Sequence, residues 1–385
     1  MSPSRRFTLA VAGCALVWAT SAATLVPTDA QNQSAATAGR AKAGDVFKNV
    51  TTSTLKELTV DDFVASMGVI TADLGLDCAD CHPNAGTDRA NFAVDSARKN
   101  TARRMVEMVA TINRTTFGGV QRVTCWTCHH GRITPATTVD LDTLYDAPNA
   151  ENDDIVRPDP NQPPADRIFD RYLQALGGAQ RLAGLRSFVA TGVSVGYGGF
   201  GGNAEFSIFA NAPNQRTTLI SFKDHPERGD SIWAFDGRAG WVKVPRGLLG
   251  EYEILGGELD GARLEAQLSF PGQIKRALTN WRVGTRSLGD RDFVVVQGSG
   301  ARGFLATLYF DQQSGLLTRL IRYGPSPVGR VATQIDYSDY REVDGIKFPF
   351  EYSFSWLDGR YSAKLNDIKT NVAIDAAKFG RPSAK

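Results

Sequence analysis

The sequence predicts a multidomain chain: an all-α N-terminal unit followed by a mainly antiparallel β unit, a curved sheet or half-barrel. Three observations carry this expectation. The chain has 385 residues, more than one hydrophobic core usually serves. From Leu58 to Asn113 apolar residues recur at helical spacing, with no strand-like alternation. Beyond Asp166 short apolar–polar alternations dominate, separated by turn clusters such as Asp236-Gly237, Ser314-Gly315 and Asp344-Gly345.

The first thirty residues stand apart from the fold. Arg5 and Arg6 precede an uncharged stretch, Phe7 to Val26, and small residues follow to Ala30, the layout of a secretory signal. Three readings stay open for residues 1–30. One is cleavage between about Ser21 and Ala30, and another is lipid attachment at Cys14 within Val11-Ala12-Gly13-Cys14. The third is an uncleaved anchor, because Phe7 to Val26 has about the length of a minimal membrane span. In each case the rest of the chain is expected to be exported, periplasmic or envelope-associated, with membrane or lipid association an option. Hydrophobic content of 42% and charged content of 22% exclude wholesale disorder, and a net charge of +2 gives nucleic acid no footing as a partner.

Residues 31–57 read as a flexible lead-in, rich in Gln, Ala, Thr and Gly at its start. Residues 58–135 read as helical. Asp61 or Asp62 can cap a first helix with Val64, Met67, Ile70 or Thr71, and Leu74 on its apolar face, ending at Gly75. A second helix spans about Ala97 to Asn113, with Ala102, Met105, Val109 and Ile112 on one stripe. Residues 136–165 are an acidic, proline-rich linker, expected to stay extended and to leave few contacts between the two units. A chain ending near Asp140 is therefore expected to fold by itself. Residues 166–385 form the β-rich unit. It opens with a helix at about Ile168 to Leu176 and a short helical piece at Ala179 to Leu185, and a further helical stretch is expected between Asp260 and Leu278. Strands are expected at Phe188 to Val195, Ala204 to Phe209, Arg216 to Phe222, Ser231 to Phe235 and Gly240 to Val244. Five more are expected at Phe293 to Gln297, Leu305 to Phe310, Leu316 to Tyr323, Val331 to Tyr337 and Phe348 to Trp356.

The chemistry lies in the cysteines. Apart from Cys14 there are four, in Cys78-Ala-Asp-Cys81-His82 and Cys125-Trp-Thr-Cys128-His129. Two thiols three positions apart reach the two vinyl groups of one porphyrin, and the adjacent histidine then lies under the iron. This is the attachment signature of c-type haem. Structural zinc and disulfides are the alternatives, and neither explains a histidine directly after both pairs. Two covalently bound c-type haems are expected, on Cys78, Cys81, Cys125 and Cys128, with His82 and His129 as axial ligands. The helical unit is then a multihaem cytochrome c domain.

A sixth ligand has few sources. Met67 precedes Cys78 by eleven residues, and its helix can fold back over that haem. Met105 and Met108 stand on the equivalent helix before the second motif. The competing reading makes all three ordinary core methionines. Arg103 and Arg104 could pair with haem propionates or simply face solvent, and His130 and His225 are poor candidates as ligands.

These residues resemble a known family. Met67-Gly-Val-Ile-Thr-Ala-Asp-Leu-Gly-Leu-Asp-Cys78 with Cys81-His82 is similar to the cytochrome c subunit of photosynthetic reaction centres. So are Phe92, Asp95, Lys99, the run from Ala102 to Met108, Ile112-Asn113, and Val123 to His129 with Gly131. The resemblance covers about residues 60 to 135. It implies Met67 on the first haem, and on the second it favours Met105 over Met108. The chain departs from the family in one respect: the full subunit carries four haems, and this sequence has one pair of motifs. Its loop from Thr115 to Arg122 also lacks the histidine that crosses to a distant haem in the family. The β unit more weakly resembles exported half-barrel proteins that sort lipoproteins, through Tyr172 to Gly178, Ser187 to Gly192 and Tyr337 to Pro349.

The expected function is electron transfer between a redox donor and an acceptor, such as a membrane-bound photosynthetic reaction centre or a respiratory complex. An electron carrier is favoured over an enzyme. A haem enzyme such as a peroxidase, or an envelope binding protein with a redox-active module, are the alternatives.

Overall fold

A computed structural model describes residues 41–87, 89–135, 137–138, 154–197, 203–245, 249–288 and 291–382. The signal or anchor, Cys14, and most of the 136–165 linker lie outside the described residues. Among the described residues no helix is long and apolar enough to cross a membrane.

The N-terminal part contains α1 (Ala43–Val46), α2 (Val60–Leu74), α3 (Cys78–Cys81), α4 (Ala97–Thr116) and α5 (Cys125–His129). Thr59 caps α2 by accepting from the Asp62 N–H, and Gly75 ends it in the left-handed region at φ 64°. Ser96 caps α4 by accepting from the Lys99 N–H. The buried faces differ from those the periodicity selects. On α2 the buried residues are Val60, Asp61, Ser66, Val69 and Asp73, and on α4 they are Lys99, Val106, Val109 and Asn113. Polar side chains that reach internal partners displace Met67 and Met105 from the centre of each face. Residues 41–57, expected as a flexible lead-in, are built into this part instead. Ala43 and Leu55 are buried, and Leu55 packs with Val69, Val106 and Val328.

The C-terminal part begins with α6 (Ala165–Ala175) and α7 (Ala179–Gly184). Six strands follow: β1 (Ser187–Val195), β2 (Asn203–Asn211), β3 (Gln215–Ser221), β4 (Ser231–Phe235), β5 (Gly240–Lys243) and β6 (Glu251–Ile254). After α8 (Gly256–Ser269) and a 3-10 turn at Pro271–Arg276 come β7 (Thr279–Leu288), β8 (Arg291–Ser299), β9 (Leu305–Asp311) and β10 (Leu317–Pro325). The last three are β11 (Arg330–Val343), β12 (Ile346–Trp356) and β13 (Gly359–Thr370).

The 13 strands among the described residues lie in one open antiparallel sheet of order β6-β5-β4-β3-β2-β1-β13-β12-β11-β10-β9-β8-β7. Two meanders therefore meet at the β1–β13 seam. There Gly192 lies at a register shift, and a Cβ on it would stand 2.0 Å from the Lys364 carbonyl oxygen. The sheet alternates as a half-covered surface should: Ala204, Phe206, Ile208 and Ala210 of β2 all face the core. Against that face pack Phe169 and Tyr172 of α6 and Leu264 of α8.

The end of the expected linker is not a free spacer. Val156 is buried with Phe293, Val295 and Tyr309 on the other face of the sheet. Its N–H donates to Gln297 Oε1 at 3.1 Å, Gln297 Nε2 donates to the Asp154 carbonyl at 2.6 Å, and Asp154 pairs with Arg330. Nor are the contacts between the two parts few. The β10–β11 turn carries Val328 into the cluster of Leu55, Val69 and Val106, and Gln121 Nε2 donates to the Ser326 carbonyl at 2.9 Å.

Candidate functional site

The second Cys-x-x-Cys-His motif is fastened from three directions. Asp73, buried near the end of α2, accepts from the Trp126 N–H through Oδ2 at 2.9 Å, and its backbone carbonyl accepts from the Gly131 N–H at 2.9 Å. Gly75 makes room for this approach, since a Cβ there would stand 2.2 Å from the Gly131 oxygen. From the sheet, the Val328 carbonyl accepts from the Cys125 N–H at 3.2 Å. From α4, buried Asn113 accepts from the Arg122 and Val123 N–H groups at 2.9 Å each and donates to the Val123 carbonyl at 2.7 Å. Burial pushes the Asp73 carboxyl up to about 6, opposed by the Trp126 N–H and by His129.

On α5, Cys125 and Cys128 lie three positions apart on one helical turn, the first half-buried and the second exposed. Burial, with Asp73 nearby, pushes the Cys125 thiol up to about 11, so it stays protonated at neutral pH. His129 Nδ1 lies 2.9 Å from the Arg132 carbonyl oxygen. A carbonyl only accepts, so Nδ1 carries the proton and the lone pair is on Nε2, the arrangement a metal-ligating imidazole needs.

The first motif is built differently. Asp77 caps α3 by accepting from the Ala79 and Asp80 N–H groups, and Asp80 returns the bond by accepting from the Asp77 N–H at 3.0 Å. The His82 ring lies 5.1 Å from that of Phe92, and its Nδ1 is buried with no hydrogen-bond partner. Burial, with Lys99 nearby, holds His82 below the usual imidazole range and favours the neutral, ligand-competent ring. Lys99 Nζ donates to the Phe92 and Val94 carbonyls at 3.0 and 2.6 Å, and Asn49 Nδ2 donates to the Phe92 carbonyl at 2.9 Å. These bonds hold the 92–94 loop beside the histidine. Burial raises the Cys78 and Cys81 thiols as well.

None of Cys78, Cys81, Cys125 and Cys128 is joined in a disulfide. Among the described residues no three His, Cys, Asp or Glu side chains converge as a metal site, so the two pairs do not assemble the four-cysteine cluster that structural zinc would use. Met67 is half-buried against the Leu55–Val69–Val106–Val328 cluster, which Cys125 also touches. Met105 is 37% exposed and Met108 43%. They are not isolated: Val94, Phe117, Val120, Trp126 and Ile133 are also large apolar residues left in solvent around the two motifs.

Arg103 is engaged by Asp95 at 2.6 Å and by the Asn49 carbonyl at 3.0 Å, whereas Arg104 is exposed with a bond to Thr101. His130 is the left-handed cap of α5, its ring 5.7 Å from Trp126. His225 is exposed beside Glu227 in the β3–β4 connection. Sequence reasoning gave no role to Asp73 or to Val328. Each acts through a contact with a residue far along the chain, and no spacing rule reports such a contact.

This arrangement has a counterpart among known proteins. Residues 11–161 match the photosynthetic reaction centre cytochrome C subunit family. That family suggests covalently bound haem in this part of the chain and redox partners in a membrane complex. No curated protein sequence matches the chain. Solved structures similar to its C-terminal part include a DUF1329 family protein from Desulfovibrio piger, at 13% identity and a TM-score of 0.39, covering 57% of this chain and 98% of that one. Another is a LolA superfamily protein from Nitrosomonas europaea, at 12% identity and a TM-score of 0.38, covering 57% and 99%.

Proposed function

We propose that the chain is a dihaem c-type cytochrome that transfers electrons in the bacterial cell envelope. In this reading residues 58–135 form the haem module, 136–165 the connection and 166–385 the β unit. One haem is held by Cys78 and Cys81 with His82 as axial ligand, the other by Cys125 and Cys128 with His129.

The observation that carries the reading is the pairing of each two-thiol helical turn with an adjacent ligand-competent imidazole, amid apolar side chains that the polypeptide leaves uncovered. The stripe of Met105 and Met108 on α4 is apolar yet exposed, which suits a face to be covered by a porphyrin. Met67 and Met105 are the proposed sixth ligands, with Met108 the weaker choice, and a thioether in that position raises the potential. Covalently held haem supplies a one-electron couple. The protein's part is to favour the neutral ring of His82, to fix the orientation of His129 through the Arg132 carbonyl, and to exclude water. The donor and acceptor would be redox proteins, a membrane-bound reaction centre or respiratory complex among them.

The test is haem counting on the purified full-length protein. Denatured protein should retain a mass of polypeptide plus two haems, and joint replacement of Cys78 and Cys81 by Ser should leave one. Met67→Ala should abolish the methionine-to-iron charge-transfer band of one haem and lower its potential. Protein free of haem after expression with haem-attachment machinery would overturn the reading.

A further inference from the structure

Helix α2 forms a wall of a second feature, on a different face from Met67. Asp61, Val64, Ala65 and Gly68 line a cavity of about 520 Å³ between this helix, α8 and the core face of the sheet. That volume lies within the range of small-molecule sites. No cysteine, histidine or methionine lines it. Its lining includes the exposed residues Lys347 and Asp358, so part of it reaches the surface.

Two properties describe what fits. The first is the wall, where Tyr197, Phe206, Trp233, Tyr352, Phe354 and Tyr361 present rings that already pack on one another. Phe354 stacks on Tyr361 at 5.4 Å, and Tyr197 meets Tyr361 edge-on at 5.7 Å and Trp233 at 5.5 Å. Such a wall offers offset and edge contacts to another flat ring more readily than to a flexible chain. The second is Asp61, only 6% exposed, whose Oδ2 is buried without any hydrogen-bond partner. An unsatisfied buried carboxyl oxygen is costly, and a ligand hydroxyl that meets it after a small rotation of the Asp61 side chain would relieve it.

We propose that this cavity binds an uncharged aromatic ring compound of the phenol class, its ring against the tyrosine-rich wall and its hydroxyl on Asp61. The charges around it favour a neutral occupant. Arg322 lies 3.2 Å from Glu258 and 3.3 Å from Glu265, and the lining's carboxylates other than Asp61 (Glu258, Glu265 and Asp358) are matched in number by Arg216, Arg322 and Lys347. Burial pushes Asp61 up to about 8, with Glu258 and Asp62 adding repulsion and the Leu255 N–H opposing it. The carboxyl therefore holds its proton at neutral pH, and a hydroxyl can both donate to it and accept from it. The site stands whether or not the haem reading does.

Calorimetric titration of the purified full-length protein decides it, with 2-naphthol, naphthalene and dodecanoate as probes. 2-Naphthol should bind at one site, about tenfold tighter than naphthalene, the ratio that one good hydrogen bond supplies. Asp61→Leu should bring the two within about twofold by weakening naphthol alone. A crystal of the unmodified protein soaked in 2-naphthol provides a readout that needs no variant, with the oxygen expected on the Asp61 carboxyl. Preference for dodecanoate, an unchanged naphthol preference in Asp61→Leu, absence of naphthol binding, or a soaked ring seated away from Asp61 would each overturn the proposal.

Discussion

Asp61 is a liability that the fold retains, and its titration makes that measurable. Its carboxyl ionises at 3.8 when unperturbed and at about 8 in the folded protein. Between those values the folded state keeps a proton that the unfolded chain has released, so stability is fully present below the lower value and falls as pH rises through the upper. Asp61→Asn should flatten this slope. Relative to the parent, the variant should gain on the order of 2–4 kcal/mol between about pH 5 and pH 8, read from urea melts. A second change isolates the fastening of the Cys125 motif. Asn113→Ala removes the acceptor of the part-buried Arg122 and Val123 N–H groups and should cost about 1–3 kcal/mol. Mass spectrometry should then show incomplete haem attachment at Cys125 and Cys128, with Cys78 and Cys81 unaffected. The motif residues themselves were legible in the sequence, because a thiol–thiol–imidazole spacing is a local property. Asn113 and Lys99 were visible only as part of a family likeness, since what they hold lies five to ten positions away with no periodic signal.

At the level of elements, most of the β unit was legible, but its two edge strands and one strand of the central seam were not. Ten strands fall where the alternation of apolar and polar residues places them, but β6, β7 and β13 do not. β13 alternates well, with Tyr361, Ala363, Leu365 and Ile368 buried, yet its Gly, Ser, Lys, Asn and Asp residues have low strand propensity and obscure the pattern. β6 is only four residues long, and β7 is interrupted by Gly284, whose bare Cα lets Val156 and the Arg157 carbonyl approach. Helices α2 and α4 were found at nearly their full extent, but their buried faces are shifted from the expected stripes, with Val109 common to both, because Asp73, Lys99 and Asn113 are buried for their hydrogen bonds. One element boundary gives a sharp test. Gly75→Ala forces a left-handed Cβ into the Gly131 carbonyl, so it should cost more than the roughly 1–2 kcal/mol of the backbone conformation alone. Thermal unfolding should report the loss, with the joint between α2 and the second motif opening first in hydrogen exchange.

For the molecule as a whole, the expected independence of the two parts gives way to mutual support. A chain truncated after Thr138 lacks Val328 and the carbonyl that holds Cys125, and it exposes Leu55, Val69 and Val106. It should therefore keep the neighbourhood of Cys78 and Cys81 while its second site loosens, seen as lower haem occupancy or a shifted potential there alone. Within the full-length protein, Val328→Ala should reproduce the effect in miniature, at about 1–2 kcal/mol for the lost methyl groups. The sequence could not disclose this coupling. The proline-rich composition describes how a segment behaves by itself, not where the turns beyond it return.

That return sets an order of events. Gln121 and Ser326 meet across 205 positions of sequence. A chain threaded out of a membrane channel from its N-terminus presents Cys125 and Cys128 long before the β10–β11 turn exists to clamp them. During this interval the second motif would be an open segment, accessible to the haem-attachment enzyme that the proposed function requires. On the proposed function, closure of the turn would then cover the occupied motif, and the late half of the chain would act as a lock that engages only after the cysteines have been used.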